Sequence, residues 1–415
     1  MIEKACPTGQ DIVTHILPIF AVQYVMGVLV QLRNTSLLRI ALLPTLPWLA
    51  WRAASTFDFS CGDPGKAQSN ALFFAHMVST CMRVTTWAMV QEPYVRDNVR
   101  KSGQTSVPVA LWNAWDLFIN LRGIGWNWSR RTPIPAVRPS SAANSRARFL
   151  MYAAIRVVFY GLAFDACTET IRTFSPNFRS WEGDTVFDYS LPLIPRYLRT
   201  LGIAYLAVWL AYLAIQFAYY AMAMVFITVF FQHPTQWPPV FDKPWLSTSL
   251  SDLWGRRWQQ MLRFPFVSCG GIPFGYLFGR PGGILGTFLV SGIFHYIELI
   301  AVGRGGSAPA EIGFFFLNGV GVLLERAWSK KVGRRVQGIY GWIWTFLWMT
   351  FWGLPLVDQW ARAGRFAADA IPGLHPTAAL LSLVLPQGVD KEFALQCLCF
   401  GMSVPFLAYS LLTLV

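Results

Sequence analysis

The chain has 415 residues, of which 54% are hydrophobic, 16% aromatic and only 13% charged, with a formal net charge of +13. A soluble domain carries about 25% charged residues, so a string of soluble domains is excluded. The positive balance would point to nucleic acid in a soluble protein. Here it reads as basic loops kept on the cytoplasmic side of a bilayer, and no nucleic-acid partner is expected.

The N-terminal MIEKACPTGQD lacks the basic start and cleavage site of a signal peptide. The first apolar run, 12–31, is therefore expected to lead insertion. A second run, 37–52, holds Pro44 and Pro47, and a third covers 71–90. The stretch 91–149 reads as one polar loop with nine Lys/Arg against three acids, an excess that marks a cytoplasmic loop. Its Pro-, Ser- and Arg-rich part, 132–148, reads as a linker. Further runs lie at 150–171 and 198–231; the latter has 34 residues, long enough as one helix (about 51 Å) that it must tilt or project. A second polar loop fills 232–265. The piece 266–279, broken by Pro273 and glycines, is too short to cross about 30 Å of hydrocarbon and reads as re-entrant. Runs at 283–302, 310–327, 338–360 and 395–415 follow, with Lys330, Lys331, Arg334 and Arg335 in a basic hinge.

The expectation is an all-α polytopic bundle, one membrane domain over 1–415, with about nine transmembrane helices plus a re-entrant segment. Loops 91–149, 232–265 and 329–335 then share the cytoplasmic side, and the N-terminus is lumenal. The seven cysteines, Cys6, Cys61, Cys81, Cys167, Cys269, Cys397 and Cys399, are read as free thiols, with no metal site.

Two constellations could carry chemistry. His295 lies deep in GTFLVSGIFHYIELIAV with Glu298 three residues on, so both share one helical face. An ionisable pair in a membrane helix is costly to place and is a functional candidate by default; a histidine satisfied by a neighbouring helix is the plainer reading. His15 and His76 read as packing histidines. The second constellation, SLSDLWGRRWQQMLRFPF over 249–266, interleaves Arg256, Arg257 and Arg263 with Trp254, Trp258 and Phe264, and Ser249 or Ser251 could cap a short helix. It is either an interfacial amphipathic helix or a cationic wall for a cofactor's phosphates.

The string SLSDLWGRRWQQ resembles the signature of the wax synthase-like branch of the membrane-bound O-acyltransferases. There a stretch near S-L-x-D-F-W-G-R-R-W, followed by His or Asn, precedes Ser-Gly-x-x-His. Here the second motif is Ser291–His295, with His295 36 residues beyond Gln259. FFFLNGVGVLLE over 314–325 is similar to the family's Phe-Phe stretch ending in Glu, and LRGIGWNW over 121–128 to an Arg-Gly-x-Gly-Trp segment of fungal members. The resemblance runs over about 110–330.

It implies an acyltransferase moving an acyl group, acetyl in fungal members of this size, from acyl-CoA to the hydroxyl of a terpenoid or meroterpenoid in secondary metabolism. The family's histidine falls on His295 as the base. Its second polar position falls on Gln259, a departure from His or Asn that suits an oxyanion donor better than a proton carrier. Arg256, Arg257 and Trp258 are the implied cofactor-binding residues. Acetyl-CoA is the implied cosubstrate, no metal is needed, and an endoplasmic reticulum membrane is the expected location. The alternatives are a membrane-embedded terpene cyclase using Glu298, Glu325 or Asp165 as acids, a long-chain wax-ester synthase, and a transporter or non-catalytic relative. The lack of an Asp-rich Mg-binding motif weighs against prenyl-diphosphate chemistry.

Overall fold

The structure is a computed structural model that describes residues 4–97, 105–129, 145–302, 305–385, 390–397 and 399. Most of the 132–148 linker and of the 395–415 run lies outside the described residues. In chain order the helices are α1 (Gly9–Leu29), α2 (Ser36–Leu42), α3 (Thr45–Thr56), α4 (Ala67–Met89), α5 (Val107–Ile119), α6 (Arg146–Arg172), α7 (Leu193–Val229), the short α8 (Leu250–Asp252, continued by a wider turn over Leu253–Arg257), α9 (Arg263–Ala301), α10 (Ala308–Val332), α11 (Gly338–Arg362) and α12 (Pro376–Val384). Among the described residues α1, α6, α7, α9 and α10 are long and apolar enough to cross a membrane. This is an integral membrane helical protein.

The chain divides into two compact units. The first comprises Met1–Gly62, Ser69–Pro133 and Gln260–Glu298. Thr8 caps α1 reciprocally with Asp11. Leu43 and Pro44 break the second apolar run into α2 and α3, because proline removes a backbone donor. Chain running out through α1 and back through α2–α3 brings Cys6 and Cys61 together as a disulfide, with Cα atoms 4.8 Å apart. These two are therefore not free thiols as expected; Cys81, Cys167, Cys269, Cys397 and Cys399 are.

The stretch 91–149 is not a plain polar loop. It contains α5, which lies antiparallel to the end of α1: Gln23 donates to Phe118 O and Gln31 to Ala110 O. Two arginines inside apolar helices are spent on helix ends. Arg39 donates to Trp87 O in the last turn of α4 and to Val90 O just beyond it, and Arg83 to Leu117 O and Phe118 O at the end of α5. The LRGIGWNW segment forms a tight knot after α5. Its fully buried Trp126 donates to Asp116 at 2.7 Å, and Asp116 pairs with Arg96 at 3.5 Å. Gly123, at φ +64°, sits so close beneath Trp128 that no side chain fits.

The second unit comprises Asp63–Gln68, Ile134–Gln259 and Leu299–Val415. It is built on the antiparallel pair α6 and α7 and on the pair α10 and α11. The run expected at 198–231 is one unbroken helix of 37 residues. At one end of these helices Trp342 donates to Trp245 O at 2.9 Å. At the other, Asp358 accepts from Thr185 (2.7 Å) and the Val186 amide (2.9 Å), and Gln359 accepts from the Ser307 amide at 2.9 Å. The loop after α7 and the hinge between α10 and α11 thus share one end. The loops after α6 and before α10 share the opposite end with the close of α11.

Candidate functional site

Helix α9 is not one rod. Its backbone leaves helical geometry at Phe278 and Gly279, where Gly279 has φ +65° and ψ −164°, a conformation open chiefly to glycine. The legs on either side, 263–278 and 280–301, run antiparallel. A Cβ on Gly270 would fall 2.2 Å from Gly286 O, one on Gly271 2.5 Å from Thr287 Oγ1, and one on Gly275 3.5 Å from Gly283 Cα. Glycines therefore let the two backbones touch. The same register sets the Phe266 ring against Phe294, centroids 5.4 Å apart, and puts His295 level with Pro265.

The return leg continues past His295 to Ala301, about 9 Å further. The first leg therefore starts partway along its partner, not at its end. The piece expected to be re-entrant is thus the first leg of a helical hairpin.

His295 is partly buried and its Nδ1 lies 3.2 Å from Glu298 Oε2. Glu298 is buried. An ionised carboxylate can only accept, so Nδ1 donates to it, and in the neutral ring Nε2 then carries the lone pair. Gln260 is buried, and its carbonyl oxygen accepts from Arg263 at 3.1 Å. Gln259 is half-buried and closes the stretch assigned to the other unit.

In that unit, Ser249 caps α8 by accepting from the Asp252 amide at 2.9 Å, as its position in the sequence allows. A signal missed in the sequence is what holds α8. Glu325, buried on α10, accepts from the Leu250 amide at 2.6 Å, the Ser251 amide at 2.9 Å and the Trp344 indole at 3.0 Å. Two turns earlier on α10, Asn318 accepts from the Trp254 indole at 3.0 Å. The Phe-Phe…Glu stretch and the S-L-S-D-L-W stretch are two halves of one clamp. Their spacing gave the pattern, but only the fold shows the contact.

The two arginines differ. Arg257 is largely buried; its Nε donates to Asp252 at 2.5 Å and its Nη1 to Asp242 O at 3.1 Å and Lys243 O at 3.3 Å. Arg256 is half-exposed and pairs with Asp252 at 2.9 Å and Asp242 at 3.2 Å. Two carboxylates thus balance two guanidiniums, so the segment is far less cationic than its sequence reads. Trp258 stands edge-on to Phe241, centroids 5.0 Å apart, and near Trp254 at 6.2 Å.

Of the other acids in apolar runs, Asp165 accepts the Thr377 amide at 2.8 Å. It lies with Glu169 and His375 in a group whose ligand atoms come within 4.8 Å of one another. Glu169 is already paired with Arg172 (2.7 Å) and Arg179 (2.9 Å), so the protein itself satisfies this group.

Residues 237–317 match the model of the membrane bound O-acyl transferase family; the match spans α8, both legs of α9 and His295. The chain is similar to the acetyltransferase atnC of an Arthrinium species, 24% identical over 80% of this chain and 81% of that protein. It is similar to the acetyltransferase sirH of Emericella nidulans, 27% identical over 69% of this chain and 68% of that one. A probable long-chain-alcohol O-fatty-acyltransferase 9 of Arabidopsis thaliana is 40% identical over 20% of this chain and 26% of its own.

Proposed function

We propose that the chain is an acyltransferase of the membrane bound O-acyl transferase kind, transferring an acetyl group from acetyl-CoA to a hydroxyl of a lipophilic, terpenoid-type acceptor in an endoplasmic reticulum membrane. The observation that carries this reading is the matched stretch 237–317, which holds the His295–Glu298 pair. Acetyl is preferred over long acyl chains because the likeness to acetyltransferases extends over most of the chain, whereas that to the long-chain-alcohol enzyme is local.

In this reading Nε2 of His295 takes the proton of the acceptor hydroxyl as its oxygen attacks the thioester carbonyl. Glu298 holds the ring's tautomer and stabilises the imidazolium that forms. An amide N–H from the Gln259–Gln260 pair donates to the oxyanion of the tetrahedral intermediate. When the carbon–sulfur bond breaks, the imidazolium returns its proton to the thiolate of CoA. Arg256, the exposed guanidinium of its pair, meets the phosphates of CoA; Arg257 and Trp258 shape the wall behind it. The bilayer-embedded helices exclude the water that would hydrolyse the thioester.

Washed membranes holding the protein, given labelled acetyl-CoA or palmitoyl-CoA and a panel of sterol, terpenoid and straight-chain alcohols, test it. The expected result is acetyl ester formation with cyclic terpenoid alcohols. Ester formation from palmitoyl-CoA alone would overturn the acetyl assignment, and none from either donor would overturn acyl transfer.

A further inference from the structure

The end of α10 and the hinge after it carry charge that the second unit does not balance. Arg326, Lys330, Lys331, Arg334 and Arg335 fall within 326–335, and all five are exposed. No acid follows them before Asp358, near the far end of α11. Glu325, just before them, is buried and taken up by the Leu250 and Ser251 amides and the Trp344 indole. The segment against the start of α11, 245–251, has no charged residue. Among the described residues none of the five cations pairs with a carboxylate, whereas Arg256 and Arg257 are paired with Asp242 and Asp252.

Ending a helix does not call for this much charge. Gly333, at φ +72°, closes α10 by donating its amide to Ser329 O at 3.0 Å, and lysines in the last turn suit the helix dipole. That dipole amounts to about half an elementary charge, far less than five cations. The backbone that presents them is braced, because Trp342 donates to Trp245 O at 2.9 Å and Gly341 lies too close to Thr248 O for any side chain. A second observation stands beside the charge. Leu324, Trp328 and Val332, each four residues apart, form one exposed apolar stripe along the last turns of α10. At about 100° per residue, Lys331 falls on the stripe's own face and Arg326 and Lys330 on the other side, with Arg334 and Arg335 past the cap. The preceding part of α10, 308–325, has no Lys or Arg and rises about 27 Å, close to the thickness of a hydrocarbon core. Unpaired cations are costly in hydrocarbon, and an exposed apolar stripe is costly in water. Both are met where lipid headgroups cover lipid tails.

We propose that Arg326, Lys330, Lys331, Arg334 and Arg335 form a binding surface for acidic phospholipids. The phosphate and the net negative headgroup lie among the cations, and the acyl chains lie along Leu324, Trp328 and Val332. A zwitterionic lipid brings its own cation with the phosphate and gains less from the surface. The stripe is what commits the surface to a lipid: a soluble phosphate makes no use of an exposed row of apolar side chains. Acidic lipids are concentrated in the cytosolic leaflet, where juxtamembrane basic segments find them. The inference stands apart from the acyl-transfer reading, and its test needs no turnover.

The full chain in phosphatidylcholine nanodiscs, with a trace of spin-labelled phosphatidylserine or spin-labelled phosphatidylcholine, tests this. The fraction of motionally restricted probe gives the relative affinity of each lipid. The parent should hold the serine lipid about tenfold more tightly than the choline lipid, because each cation beside an acidic lipid surface is worth about fivefold and one headgroup meets more than one of them. Raised salt should shrink that preference. Lys330→Gln with Lys331→Gln should lower it several-fold, as should Arg334→Gln with Arg335→Gln, and all four together should abolish it. Lys330→Arg with Lys331→Arg should keep it. These side chains are exposed, so the variants should unfold in neutral detergent at the parent's midpoint; the two double variants carry the test should the fourfold one fail to fold. Equal affinity for the two probes in the parent overturns the proposal, as does a preference untouched by the substitutions. Loss of the preference when CoA is added also overturns it, because the cations then serve a soluble phosphate.

Discussion

An imidazole and a carboxylate in one membrane helix are costly unless each meets the other's polar atoms, and His295 and Glu298 do so at 3.2 Å. Their arrangement orients Nε2 as a lone-pair donor, which a packing histidine does not need. His295→Ala is expected to lower acetyl transfer by about 10² to 10⁴ with the protein still inserted and monodisperse in detergent, the range for loss of a general base. Turnover near that of the parent would remove the base from His295. Glu298→Gln can still meet Nδ1 but no longer balances the imidazolium, so a smaller loss in kcat is expected, with the KM for acetyl-CoA little moved. The two glutamines are separable. Gln259→Asn should keep appreciable activity, while Gln259→Ala should lose about 10² to 10³, the scale for one oxyanion donor. If Gln259→Ala is as active as the parent and Gln260→Ala is not, the donor is Gln260, the residue whose amide Arg263 orients.

At the scale of elements, one tie that joins distant parts of the second unit is the grip of Glu325 on the start of α8 and on Trp344. Removing that carboxylate leaves two amides and an indole unmet, at roughly 1–3 kcal/mol for each buried donor. Glu325→Ala should therefore lower the thermal midpoint of unfolding in detergent markedly, with Glu325→Gln falling between it and the parent. A midpoint unmoved by Glu325→Ala would show that the clamp contributes nothing to α8. This tie also shows where sequence reading stops. Apolar runs and the unbroken α7 were legible, because length and local period decide them. The glycines of 266–279 marked a broken segment, and the fold shows them as the contact face of a hairpin. Helix α5 was hidden because Asn113 and Asp116 sit inside it and basic residues flank it, so a charge count over 91–149 read loop. Glu325 was read as a possible acid because a contact with Leu250, 75 residues away, leaves no local pattern. Arg39 and Arg83 were invisible for the same reason: their partners are carbonyls of other helices.

For the whole molecule, the question that joins fold to chemistry is which face meets the cytosol, where CoA is made. Within the second unit, 245–251 and 325–344 are tied by Trp342 to Trp245 O and by Glu325 to the Leu250 and Ser251 amides, so these segments share a face. The segments 185–186, 307 and 358–359 are tied at the opposite end. Basic residues of the hinge, Lys330, Lys331, Arg334 and Arg335, argue that the first face is cytosolic. In the first unit the Cys6–Cys61 disulfide argues that its end lies in an oxidising compartment, since cytosolic thiols stay reduced. Both arguments are tested together in sealed microsomes, cytosolic face outward, with the five free cysteines replaced. Gln236→Cys and Arg335→Cys should each react with an impermeant maleimide without detergent, and Ser190→Cys only after permeabilisation. The disulfide should resist an impermeant reductant until detergent is added. Opposite labelling of positions 236 and 335 would break the shared face, and reduction of Cys6–Cys61 in intact vesicles would turn the first unit over. The arginines complete the test, because a cytosolic face alone does not separate CoA from lipid phosphate. Arg256→Ala should raise the KM for acetyl-CoA more than that for the alcohol. Arg257→Ala removes the tie to Asp252 and to the 242–243 carbonyls, so it should lower the yield of folded protein first. An Arg256→Ala effect confined to the alcohol would leave the topology standing and take the cofactor away from this segment.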